Sequence, residues 1–140
     1  MTDEGYAITL YDPMARPVSY AEVPASFTVE YFVGKFQKKW QQGAIRYPSD
    51  YLMWFIPELD SADPDNKFSG LMGYQDKGIS FHLVPHATVV EFVRWIRSIV
   101  PNENIVYLIK IPDLIEILEI TQTTEDEEIF GFLEHRSLDP

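Results

Sequence analysis

Catalysis and metal binding need histidines, carboxylates or nucleophiles at usable spacings. This chain offers three histidines, 22 acidic residues and no cysteine. His82 and His86 are four positions apart, the interval that converges two imidazoles on a metal when both lie on one helix. Pro85 stands between them, so the pair is expected to divide between a strand end and a loop and not to converge. Asp60, Asp63, Asp65 and Asn66 crowd one stretch, but a calcium loop also requires glycine at its sixth position and glutamate at its twelfth. Counted from Asp63, those places hold Phe68 and Tyr74, which leaves a solvated acidic loop. No serine sits in a Gly-x-Ser-x-Gly elbow, and neither Gly-x-Gly-x-x-Gly nor a Walker sequence is present to cradle phosphate. Gly70-Leu71-Met72-Gly73 has the outline of a Gly-x-x-Gly backbone clamp without its basic flanks. The absence of cysteine excludes disulfides, thiolate metal sites, iron–sulfur clusters and thiol nucleophiles. No catalytic, cofactor-binding or metal-binding residue is therefore assigned. An enzyme would have to be built from carboxylates or histidines distant along the chain.

Charge points toward recognition instead. The formal net charge is −11. Residues 1–100 hold 12 acidic and 9 basic residues, a net of −3, whereas residues 101–140 hold 10 acidic and 2 basic, a net of −8. Such asymmetry repels polyanions and attracts a basic partner. Glu125, Asp126, Glu127 and Glu128 are the first candidates for the contact, with Glu116 and Glu119 second. Thr123–Glu128 reads as a polar loop or a helix start; a run in a loop has little to do for the fold, so neutralising it is expected to leave stability nearly unchanged or raise it slightly. Trp95 is a further candidate: half-exposed between Arg94 and Arg97, it would have the composition of an interface hot spot. Lys35, Lys38, Lys39 and Arg46, interleaved with Phe36, Trp40 and Tyr47, could grip single-stranded nucleic acid by charge and stacking. Lys35, Lys38, Lys39 and Gln42 recur, however, at the spacing of a helix's solvent face, and with the overall charge so negative no nucleic-acid binding is expected.

These residues need a frame to position them. A chain of 140 residues is expected to form one domain, 1–140, with a core large enough to stand without disulfide or metal. Its 46% apolar and 14% aromatic content argues against disorder. Met1 to Gly5 is acidic with no apolar run behind it, unlike a secretory signal. Apolar runs such as Tyr51–Ile56 fall far short of the roughly 20 residues that span a bilayer. A soluble, cytoplasmic protein with no membrane partner is expected.

The centre of the frame runs from Lys77 to Ile111. Asp76-Lys77-Gly78 signals a turn and Ile79–Val84 a strand. Thr88 and Glu91 then have capping-box spacing. Val89, Phe92, Val93, Ile96, Ile99 and Val100 form one apolar stripe, with Glu91, Arg94, Arg97 and Ser98 on the other side. Pro101 ends this helix, expected over 88–100 with Ile96 buried, and Asn104–Ile111 reads as a central strand. A first helix is expected over 28–42, with Thr28 as cap and Phe27 and Phe32 as a hydrophobic staple. Tyr6–Tyr11, Tyr51–Ile56 and Lys67–Tyr74 read as strands, the last forming a hairpin with Ile79–Val84, and a short edge strand is expected near 18–23. Residues 114–121 fit helix or strand, and Ile129–Leu133 leans toward strand. Together these predict an α+β domain: a mainly antiparallel twisted sheet of five to six strands with two main helices on one face.

Such a domain suits a non-catalytic protein-binding role. The concrete form would be an acidic immunity or antitoxin-type inhibitor of a basic protein, an analogy of charge and size. A structural or regulatory module that assembles with itself or joins a complex is the alternative, the oligomeric state being open. An enzyme with an unrecognised carboxylate or histidine site comes third.

Overall fold

The computed structural model describes residues 5–14, 22–57, 68–75, 77–82, 85–111 and 116–134. In chain order the elements are β1 (Gly5–Thr9), α1 (Val29–Lys39), β2 (Ala44–Arg46), β3 (Tyr51–Ile56), β4 (Phe68–Gly73), β5 (Ile79–His82), α2 (His86–Ile99), β6 (Val106–Ile111), β7 (Ile117–Ile120) and α3 (Asp126–Glu134). The edge strand expected near 18–23 falls largely outside the described residues, as does the acidic stretch at Asp60–Asn66.

The sheet has seven strands in the order β2-β3-β4-β5-β1-β6-β7, and every neighbouring pair is antiparallel. This is the α+β class expected, with one or two strands more. The predicted hairpin forms, with Gly70 opposite Phe81 and Met72 opposite Ile79. Gly70 has a steric reason: a Cβ there would collide with the Ser80 carbonyl oxygen and the Trp54 ring. β5 and β6 flank α2 in sequence but are not neighbours, because β1 inserts between them. Its Ile8 pairs with Ile79 on one side and Leu108 on the other.

Register puts Leu52, Trp54 and Ile56 on the same face as Met72, Phe81, Ile8 and Leu108, and all are buried with the helices in one core. Tyr51–Ile56 is apolar at every position, which by itself predicts a strand inside the sheet with no wet face. On the face opposite the helices, however, Tyr51, Met53 and Phe55 are only half-buried and Leu71 is 40% exposed, so the strand has a partly wet face after all.

α1 forms as its signals require. The Thr28 side chain accepts the Tyr31 N–H at 3.0 Å, and the Phe27 and Phe32 rings lie 6.4 Å apart as the staple. The capping box expected at Thr88 does not form. α2 begins two residues earlier, at His86, with no side-chain cap. The Pro85 carbonyl accepts from Thr88 and Val89 N–H groups, and Thr88 is buried inside the first turn. With Pro85 at the cap position and its carbonyl taking the first two N–H groups, Thr88 is already helical and cannot act as a cap. Ile96 is fully buried, as expected. Residues 117–120 resolve as strand β7. The strand reading of Ile129–Leu133 is overturned, since these residues lie in α3 with Ile129 and Leu133 facing the core four apart. The apolar run was too short to fix its own period, and the acidic residues before it supply the helix start.

Candidate functional site

The three helices form one layer over the sheet. At the start of α1 the Tyr31 hydroxyl donates to the Ile99 carbonyl at the end of α2, at 2.6 Å. At the far end Trp40 packs edge-on to Trp95 at 4.4 Å and stacks on Phe92. α1 therefore runs antiparallel to α2. On the other flank Asp126, at the start of α3, meets Arg94 in the later half of α2. Phe132, near the end of α3, lies against Lys110, at the opposite end of β6 and β7 from the Asn104 and Ile120 carbonyls that Arg97 bonds in the last turn of α2. α3 is also antiparallel to α2.

Between these flanks, over the outer surface of α2, lies a groove of about 510 Å³ lined by Lys39, Ala87, Val90, Glu91, Arg94, Trp95, Ser98, Asp126 and Phe130. Its floor is apolar and its walls carry two positive and two negative side chains. Arg94 Nε donates to Asp126 Oδ1 at 2.6 Å across it, with the two side chains 34% and 57% exposed. An ion pair so exposed contributes at most about 1 kcal/mol, so it shapes the wall more than it holds the fold. Trp95 was expected to be half-exposed. It is 8% exposed, its ring wedged against Phe32, Phe36, Trp40 and Phe92, and it offers the groove an edge. Aromatic rings from both α1 and α2 surround the indole, and the apolar area it buries among them draws this boundary position inward.

The acidic candidates separate into three places. Glu125, Asp126, Glu127 and Glu128 are exposed at the start of α3. They are not the dispensable loop that the sequence suggests. The Glu125 carbonyl accepts from Ile129 N–H at 3.3 Å, and the Glu128 carboxylate accepts from Glu125 N–H at 3.1 Å, one arm of a capping box. Carboxylates in a first helical turn also face the positive end of the helix dipole. Neutralising all four is thus expected to destabilise the domain rather than leave it unchanged. Glu128→Ala alone should cost about 1 kcal/mol in denaturant unfolding, the size of a lost cap, whereas Glu127→Gln should cost under about half of that. Equal effects would mean that the cap is not formed.

Glu116 lies apart from that run. It pairs with Lys110 at 3.1 Å, both side chains are largely sheltered, and the ammonium sits 4.7 Å over the Phe132 ring. Glu119 is exposed on the other face of the sheet, opposite Tyr107 in register. The Tyr107 hydroxyl is pushed above its ordinary pKa by burial first, then by the charges of Asp12, Glu119 and Glu22. Only the start of α3 shares a surface with Trp95 and the groove.

The basic cluster also divides. Lys35, Lys38 and Lys39 are exposed on α1, while Arg46 stacks over Phe55 at 5.7 Å on the far face of the sheet. Phe36 and Trp40, the aromatic partners that a nucleic-acid grip would need, are buried in the core. His86 is half-exposed in the first turn of α2, not in a loop. Among the described residues no group of three or more metal-ligating side chains converges, and no helix is long and apolar enough to cross a membrane.

Arg97 is the residue that the sequence places wrongly. Expected on the polar side of α2, it is 6% exposed. Its guanidinium donates to the carbonyls of Asn104 (2.6 Å), Ile120 (3.1 Å), Val100 (3.1 Å) and Pro101 (2.7 Å), joining the end of α2, the following turn and the end of β7. Burial lowers its pKa, and the helix's terminal carbonyls supply the negative end that offsets the charge. An arginine in the last turn of a predicted helix is the available signal, since such residues can bond the last carbonyls. No protein-family model, curated protein or solved structure matches this chain, so the groove and its charged rim are interpreted from their own chemistry.

Proposed function

We propose that this chain is a non-catalytic protein-binding domain whose acidic helical face engages a basic protein, in the manner of an immunity or antitoxin-type inhibitor. The observation that carries this is the placement of Asp126 on the wall of an apolar-floored groove, with the exposed Glu127 next to it in the first turn of α3, within a C-terminal third of net charge −8. Interfaces combine an apolar centre with a charged rim; the groove walls themselves balance Glu91 and Asp126 against Lys39 and Arg94, and the surplus negative charge of Glu127 and Glu128 in the adjoining turn of α3 would accelerate encounter with a basic partner. Nucleic acid is not the ligand in this proposal: Phe36 and Trp40 are buried, Tyr31 already carries Lys35 over its ring at 5.6 Å, and the net charge of −11 repels phosphate. A cytoplasmic, soluble setting suits such an inhibitor.

The test is affinity capture from lysate of the source cell, with wild-type protein and a Glu127→Gln, Asp126→Asn variant side by side. Wild-type protein should enrich basic proteins at low salt, and the variant should enrich them several-fold less, with the difference shrinking as salt screens the field. Equal capture by both proteins at low salt would overturn the proposal.

A further inference from the structure

The two walls of the groove carry opposite charge. α2 is the most buried of the three helices, with nine of its 14 residues inside, against two of 11 in α1 and two of nine in α3. α1 and α3 line the groove from either side of it. On the α1 side the wall residue is Lys39. Tyr31, Lys35 and Lys39 recur at i, i+4 and i+8; Tyr31 bonds the Ile99 carbonyl of α2 and carries the Lys35 ammonium over its ring. Lys35 therefore shares the α2-facing flank, one turn before Lys39. On the α3 side the wall residues are Asp126 and Phe130. The exposed Glu134 continues that row by one turn, and the exposed Glu127 adjoins Asp126. The floor between the walls is close to neutral. Arg94 is held by Asp126, and Glu91, one turn before Trp95, lies on the side of α2 that faces α1.

We propose that the groove receives one amphipathic helix of the partner protein, its apolar stripe on Val90, the Trp95 edge and Phe130. Its acidic flank meets the lysines of α1 and its basic flank the carboxylates of α3. Resting on the groove as the contact surface for a basic protein, this assignment names the element that enters it. A helix fits because the α2 lining recurs at i, i+3, i+4, i+7, i+8 and i+11 from Ala87 to Ser98. That stripe is about 16 Å long at 1.5 Å per residue, and its ridges accept the ridges of another helix. Charge complementarity selects the flanks. A helix basic on both sides would set one of them against Lys35 and Lys39, and a helix acidic on both would set one against Asp126 and Glu127. The same signs fix direction: turned end for end on the same floor, the mixed helix would exchange its flanks and meet like charge on both walls.

The probe is a synthetic peptide of about 15 residues, roughly four helical turns, stapled into a helix so that ordering does not mask its affinity. It carries a leucine stripe, glutamates on one flank, arginines on the other, and a fluorophore for anisotropy. Two stapled companions have arginine on both flanks or glutamate on both, and an unstapled one has the mixed flanks with proline at its centre. At physiological salt the mixed peptide should bind the full chain with a Kd on the order of 10 µM, at least about ten-fold more tightly than any companion. Lys35→Glu with Lys39→Glu makes both walls acidic. That variant should bind the mixed peptide about ten-fold more weakly and the all-arginine peptide about ten-fold more tightly than wild type, the gain showing that it is folded. No binding of the mixed peptide by about 100 µM overturns the proposal. So do equal binding of the proline peptide, which makes the occupant an extended segment, a wild-type preference for the all-arginine peptide, and a variant with wild-type preferences. The lysines of α1 play no part in the capture test of Asp126 and Glu127, so either reading can fail alone. Capture without preference for the mixed peptide removes the helix, and that preference without capture removes the basic protein.

Discussion

Arg97→Met is expected to destabilise the domain by about 2–4 kcal/mol, the second-largest effect of any single substitution considered. The guanidinium satisfies four backbone carbonyls from three segments, and methionine fills much of the same volume while satisfying none. A buried carbonyl left without a donor costs about 1–3 kcal/mol. Part of that loss is offset because a charged group no longer has to be stripped of water, and because Nε has no partner to lose. The net remains large because the junction is not local: the end of α2 and the end of β7 lose their shared donor together. Arg97→Lys should recover only part of it, since one ammonium cannot span carbonyls on opposite sides of a planar fork. Denaturant midpoints at constant m-value check this. A shift of under about 0.5 kcal/mol for Arg97→Met would place the side chain in solvent, where the helical wheel alone puts it.

Phe92→Ala should cost more, about 3–5 kcal/mol. Phe92 is fully buried and joins the layers of the fold. Its ring stacks on Trp54 of the sheet at 4.8 Å and on Trp40 beyond α1 at 5.9 Å, with Phe68 and Phe81 meeting it edge-on. Truncation removes the ring that two tryptophans share, and neighbours on a sheet and a second helix cannot both collapse into the space. The near-ultraviolet circular dichroism of the tryptophans should weaken along with the stability. Loss of stability with an unchanged aromatic spectrum would separate Phe92 from the two indoles and contradict this packing.

Local signals were enough wherever neighbouring residues decide the outcome. The Thr28 cap, the Phe27–Phe32 staple, the β4–β5 hairpin and the buried stripe of α2 depend on contacts within a few residues, and all were legible. Position in the sheet was not. β1 inserts between β5 and β6, and nothing in the spacing of Tyr6–Tyr11 announces a partner some hundred residues away. β2, with three residues, is too short to show a period. Trp95 and Arg97 were misplaced for a shared reason: each sits at the boundary of the α2 wheel, where the burial of a side chain depends on what the next element brings. For Trp95 that is the aromatic row of α1, and for Arg97 the open carbonyls at Asn104 and Ile120. For the acidic run a helix start was one of two readings, but the strand reading of Ile129–Leu133 left no helix for it to start, because that apolar run suits strand and helix equally until the cap is recognised.

Carboxylate labelling with a carbodiimide and an amine, read by mass spectrometry, locates the binding surface acid by acid. The protein is labelled free at submicromolar concentration and again in the presence of the captured basic partner. Asp126, Glu127 and Glu91 on the helix layer should lose most of their labelling in the complex, while Glu119 on the far face of the sheet should label equally in both. Protection of Glu119 with Asp126 and Glu127 unchanged would place binding on the sheet and contradict the helical surface as the site of recognition.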